Sequence, residues 1–331
     1  MNGPSTKRPV ARRHHTVSQC YLRGFLPARK KPKLLVFDKI TRRQFETSTE
    51  GVAVHKDFNR IEVDGLEADA LEHDLSHFEG LLAAALRRII EAQSIADPED
   101  LNILLQFIGM LMLRNPRLRE TMRKFHEDIA KSMMELSLAT KERWEEQIAE
   151  VKAAGGLKDE PQISYEDMKR FVEKGDYKID LRNEYQVGLE LSTMDKILPI
   201  LFERNWVLLK APKGSGGFVT SDHPASLIFT DPKMRGKFYG PGLGLTGTDI
   251  FFPVSPRLGI IGAFEIPKNN EIEVDEATVA SCNGRTATFA DRQIYARDVN
   301  FTYLMEVGEQ PRKGSRLISD SRFRKESKSK S

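Results

Sequence analysis

Between residues 101 and 113 the chain is apolar on nearly every face of a helix. Such a helix has no solvent side and must be surrounded by other elements. It needs a fold large enough to enclose it, and 331 residues suffice for one or two domains with a sizeable core. The stretch contains Gln106 and is too short to cross a bilayer, so no membrane association is expected. Its start is well marked: Asp97 can cap, Pro98 suits the first helical position and Asp100 suits the positive end of the helix dipole. Asn115-Pro116 marks its end, because a residue before proline avoids helical angles.

The rest of the pattern falls into three blocks. Residues 34–37 and 43–47 read as a hairpin around the turn at 38–41, and 52–54 and 58–63 extend the sheet. From about 66 to 204 the period is helical. Leu71, Leu75, Phe78, Leu82, Leu86 and Ile89 make one stripe at spacings of three and four. Residues 117–154 read as one long charged helix stopped by Gly155-Gly156, and Ser164 opens another. A helix over 183–204 carries Pro199 near its end. From 205 to 311 the character is mainly β. Residues 206–210 and 218–222 form an expected hairpin across Gly214–Gly217, followed by strands at 249–253, 258–264 and 293–296 and helical character at 275–292. Segregated blocks of this kind predict an α+β fold: an N-terminal β-hairpin region, a central block of long helices and a C-terminal mixed or antiparallel sheet. We expect a single domain over 14–311.

Charge sits at the ends. The net charge is +3. Residues 1–13 carry Lys7, Arg8, Arg12 and Arg13 with no acid, and residues 312–331 are strongly basic against Asp320 and Glu326, so the body between them is acidic. Both ends, 1–13 and 312–331, read as disordered basic tails that either solvate or attract an anionic partner such as nucleic acid. Cys20 and Cys282 are too few and too far apart for a disulfide scaffold, and no secretory segment follows the first charges, which suits a cytoplasmic protein.

Chemistry-bearing residues gather in a few motifs. His14-His15 precede an apolar run through Val17, Gln19, Tyr21-Leu22 and Phe25. Arg114-Asn115-Pro116, Ser221-Asp222-His223-Pro224 and Pro253-Val254-Ser255-Pro256 follow in that order. This succession resembles a family of bacterial and phage-associated proteins, domain of unknown function 4238, over about residues 14–297. The resemblance implies a shared fold and no known activity. A proline usual near Ser18 in that family is absent here.

His14, His15, Asp222 and His223 are the catalytic candidates, because histidine titrates near neutrality and a carboxylate beside it can hold a proton or a cation. Arg114, Asn283 and Arg285 are candidates for gripping an anionic substrate. His15, Glu79 and Asp222 make a candidate ligand set for a divalent metal. His73 and His77 stand one helical turn apart, a spacing that fits either a zinc pair or two solvated neighbours. Gly242-x-Gly244-x-x-Gly247 lacks the strand before and the helix after that a dinucleotide site requires. Two functions are open at this level. One is a metal-assisted hydrolase or nuclease, with nucleic acid or another anionic ligand as partner. The other is a non-catalytic binding protein of a phage-defence or toxin-related system, in which the same residues form a structural polar network. In either case a ring of His14 or His15 is expected to meet Asp222 or His223, with Arg114 in the same pocket.

Overall fold

The computed structural model describes residues 12–63, 65, 67, 70–156, 163–234, 236, 239–268, 271–306 and 308–323. Strand β1 (Arg13–His15) leads into helix α1 (Gln19–Arg23), the hairpin β2 (Leu34–Asp38) and β3 (Arg43–Thr47), and β4 (Val54–Lys56). Helices α2 (Ala70–Ala92), α3 (Pro98–Leu113), α4 (Pro116–Ser137), α5 (Lys141–Ala153), α6 (Tyr165–Lys174) and α7 (Asn183–Glu203) follow. Then come β5 (Asn205–Lys210), β6 (Thr220–Ser221), β7 (Ser226–Phe229), β8 (Thr248–Pro253), β9 (Leu258–Ala263) and β10 (Glu271–Glu273). Helix α8 (Glu276–Phe289) and strands β11 (Gln293–Ala296), β12 (Thr302–Tyr303) and β13 (Arg312–Lys313) complete the chain. The fold is α+β, with N-terminal strands, central helices and C-terminal strands.

The described chain divides into two compact units, Arg117–Gln186 and the remainder on either side of it. In the larger unit one sheet runs β10-β5-β9-β8-β7, antiparallel except for β10 beside β5, and another runs β3-β2-β11-β6. Helix α3 lies in the main core. Leu104, Leu105, Phe107, Ile108 and Leu111 are buried among Leu82, Leu86 and Ile89 of α2 and Ile250 and Phe252 of β8. Its outer strip is narrow and polar, with Asn102 accepting from Gln106 at 2.9 Å. Asp97 caps it by accepting from the amides of Glu99 and Asp100. Tyr21 ties the N-terminal segment to this core. Its ring packs against Phe25, Phe107 and Phe252, and its hydroxyl donates to the Pro253 carbonyl at 2.6 Å while bonding Thr220 at 2.7 Å.

In the smaller unit the expected long helix over 117–154 is two helices. Leu138 turns inward and is buried, and Thr140 starts α5 by accepting from the Arg143 amide. Tyr165 of α6 donates to the Leu138 carbonyl at 3.0 Å and holds that break.

Three other expectations are corrected. Residues 206–210 and 218–222 do not form a hairpin, because β5 pairs with β9 while β6 pairs with β11. Gly216 and Gly217 between them both have positive φ, and a Cβ on either would collide with the backbone of Asn300 or Pro256. The backbone is therefore led away into the second sheet. Residues 58–63 are not a strand; β4 ends at Lys56 and pairs with β1. The C-terminal tail does not begin at 312. Residues 312–323 form β13 and two short 3-10 turns, with Leu317 and Phe323 buried in a cluster with Phe37, Phe301 and Tyr303. The buried Asp320 explains why this basic stretch is ordered: it accepts from Arg312, Arg322 and Tyr303 at 3.1–3.2 Å. At the other end Arg12 pairs with Asp57 at 2.8 Å. The remaining parts of the expected tails, 1–11 and 324–331, lie outside the described residues.

Candidate functional site

Strand alternation sends the two neighbouring histidines to opposite faces of β1. His14 is fully buried, and its Nδ1 accepts from the Asn59 amide at 2.7 Å. That bond closes the loop after β4, so His14 serves the fold. His15 lies beside the Glu50 backbone, and its Nε2 is buried without a partner. Burial lowers the His15 pKa from its usual range, and the charges of Glu79 and Glu72 oppose that shift.

His15 lines a cavity of about 230 Å³. Glu72 and Glu79 stand two helical turns apart on α2 and share its wall. Thr16, Ser18, Gln19, Ser76 and Arg114 add to the polar lining, above an apolar floor that includes Phe78 and Phe107. Glu79 accepts from the Ser18 hydroxyl at 2.6 Å, and the same hydroxyl lies 3.2 Å from the Cys20 sulfur. Asn59 organises the opposite side. Its Nδ2 donates to Glu72, and its Oδ1 accepts from Arg114 at 2.7 Å. Thus His15, Glu79 and Arg114, three residues singled out by sequence, come together here.

Asp222 and His223 are placed elsewhere. Asp222 accepts from three successive amides, Asp291 and Arg292 at 2.8 Å and Gln293 at 2.9 Å. Burial nevertheless pushes its pKa up to about 6. His223 stacks on Phe289, and its Nδ1 lies 2.7 Å from Asn115 Nδ2. That amide also donates to Asp291 at 2.7 Å, so its two hydrogens go to His223 and Asp291. Among the described residues no hydrogen bond joins Asp222 to His14 or His15. The expected shared site is corrected into two regions hung on one helix end: Arg114 reaches the His15 cavity, and Asn115 reaches the Asp222 turn.

Two further expectations are corrected. Asn283 accepts from the Val219 amide and donates to the Gly217 and Thr302 carbonyls at 2.8–2.9 Å, so its bonding capacity is spent within the fold. Arg285 donates to Ser226 and Asp249, including a salt bridge to the Asp249 carboxylate, and is a tie between α8, β7 and β8. The metal set of His15, Glu79 and Asp222 is not assembled, because Asp222 is committed to the amides of residues 291–293. Among the described residues no three His, Cys, Asp or Glu side chains converge in the manner of a metal site. His73 and His77 are exposed neighbours on α2. Gly247 is followed directly by β8, not by a helix.

The family model "Protein of unknown function (DUF4238)" matches residues 13–300. The chain belongs to the DUF4238 family. No curated protein and no solved structure matches it. In this DUF4238 chain the match spans every residue that lines the cavity. Sequence reasoning missed Asn59, Glu72 and Ser18. Glu72 was findable, since it stands seven positions before Glu79 on the same helix face. Asn59 carried no signal, because its role is set by a loop conformation and not by a periodic pattern.

Among the described residues no helix is long and apolar enough to cross a membrane.

Proposed function

We propose that the protein is an acid–base enzyme of the hydrolase class acting on a small anionic or ester-bearing molecule in the His15 cavity. The observation that carries this reading is the buried His15 Nε2 without a partner, in a cavity walled by Glu72, Glu79 and Arg114. A neutral imidazole with a buried, unpartnered nitrogen can serve as a base toward a ligand beside it. Its lowered pKa keeps it neutral, and so able to accept a proton, at pH 7. When it takes a proton from water, Glu79 stabilises the imidazolium. Arg114, held by Asn59, supplies the positive wall for a substrate anion. At about 230 Å³ the cavity is below the roughly 300–1,000 Å³ of drug-sized sites, which favours a small substrate over a polynucleotide. Both cysteines are unpaired, in keeping with the cytoplasmic setting we propose.

A non-catalytic binding protein is the second reading, favoured by the closed bonds around Asn59. One experiment separates the two. A panel of small phosphate and carboxylate esters is assayed by calorimetry for binding and by product release for turnover, with the wild type and His15→Asn. The enzyme reading expects turnover that falls about 10²–10⁴-fold in the variant while binding persists. Binding without turnover in the wild type establishes the second reading. Absence of both, or turnover untouched by His15→Asn, overturns the assignment of the cavity.

A further inference from the structure

Helix α4 exposes one apolar stripe. Leu118 is 36% exposed, Phe125 55%, Ile129 40%, Met133 58% and Leu136 61%. Spacings of seven, four, four and three place them on one face. The stripe runs over some 18 residues, about 27 Å at 1.5 Å per residue. Monomeric proteins rarely leave a contiguous row of large apolar side chains in water.

The charges beside the stripe identify what covers it. On one flank stand Arg117, Lys124, Asp128 and Glu135, all exposed. They read plus, plus, minus, minus along the helix, and they are spaced symmetrically about residue 126. An antiparallel copy of α4 turned about that point sets Arg117 against Glu135 of the partner and Lys124 against Asp128 of the partner. Each pair then occurs twice. A parallel copy would instead bring the two basic halves together. The apolar row is symmetric about residue 127, one position on, with Phe125 and Ile129 near the centre and Leu118 and Leu136 at the ends, while Met133 has Thr121 as its counterpart.

We propose that the protein self-associates through an antiparallel, two-fold pairing of α4 with α4 of a second copy. A self-complementary face of this kind makes a closed, isologous contact. The seam supplies the apolar contact, and the flanking charges set direction and register. This pairing is independent of the chemistry in the His15 cavity.

Sedimentation equilibrium on the full chain tests the proposal. The wild type is expected to be a dimer at micromolar concentration. Phe125→Glu is expected to weaken dimerisation about a hundredfold or more, since it buries two like charges at the centre of the seam. Because Phe125 is exposed in the protomer, far-UV circular dichroism and the melting curve of the monomeric variant should show an intact fold. Arg117→Glu alone should weaken the dimer, and Arg117→Glu with Glu135→Arg should restore it. A monomeric wild type at 100 μM, or a dimer unaffected by Phe125→Glu, overturns the proposal. Failure of the charge exchange to restore the dimer overturns the antiparallel register. A wild type that is monomeric alone and associates only with nucleic acid also overturns it.

Discussion

Asp222 accepts three backbone N–H bonds, whereas His15 leaves Nε2 without a partner. Both side chains belong to motifs with the same kinds of group, and both are reached from the C-terminal end of α3, by Asn115 and Arg114 respectively. The difference lies in what each has left to offer. At the Asp222 turn both oxygens of the Asp222 carboxylate are answered by the chain itself, so that carboxylate contributes to stability. At the His15 cavity the carboxylates are held in place by Ser18 and Asn59, but the imidazole is not satisfied, and the space beside it is open. A buried polar atom with no partner costs stability, and its persistence beside a cavity is the mark of a group kept for a ligand.

The largest expected effect comes from breaking the closed side. Asp222→Ala orphans the amides of 291, 292 and 293 and should lower unfolding free energy by on the order of 3 kcal/mol, measured by urea denaturation. Ligand binding in the His15 cavity by the folded fraction should be unchanged. A variant of wild-type stability would show that the turn is not the anchor its bonds suggest. The same carboxylate should give a pH signature. Its folded pKa of about 6 lies above the ordinary 3.8. A raised carboxyl pKa means the folded state binds the proton more tightly. The contribution is therefore fully present below about pH 4 and lost as pH rises through 6. Comparing wild type with Asp222→Asn across that window isolates the slope, which should vanish in the variant.

A smaller effect tests the link between the two regions. Asn115→Ala removes the bonds to His223 and Asp291 and should cost about 1–2 kcal/mol by the same measurement. Arg114 keeps its bond to Asn59, so affinity in the cavity should change little. Loss of ligand binding in this variant would mean that the two regions are one functional unit after all.

Much of the helical scaffold was legible because its signals are local. The α2 stripe, the Asp97 and Ser164 caps and the Asn115-Pro116 break all lie within a few residues of what they determine. What was not legible depends on distant backbone. The pairing of β6 with β11 is set by where Gly216 and Gly217 pass Asn300 and Pro256, and nothing near residue 218 records that. Residues 312–323 look like a charged tail until Asp320 is seen to gather Arg312, Arg322 and Tyr303. For the site, residue type identified His15, Glu79 and Arg114, since histidine, glutamate and arginine announce their chemistry. It misassigned Asp222, because backbone amides are its partners and every residue but proline has one.

The smallest expected effect on stability belongs to His15. His15→Asn removes the unpartnered nitrogen and part of the ring. Near pH 7 its unfolding free energy should stay within about 0.5 kcal/mol of wild type. Acid should separate them. The folded-state pKa of His15 is depressed, so the folded protein prefers the neutral ring, and the unfolded chain takes up a proton first. Stability contributed by the neutral ring is present above about pH 6.5 and is lost as pH falls through the lower folded value. An asparagine has no such loss, so the variant should gain on the wild type below pH 6.5. Denaturation curves at pH 7 and pH 5 measure this directly. If the gap between the two proteins does not change, His15 is not held as a neutral base. The open side of the comparison then closes, and the cavity loses the group that distinguishes it from the Asp222 turn.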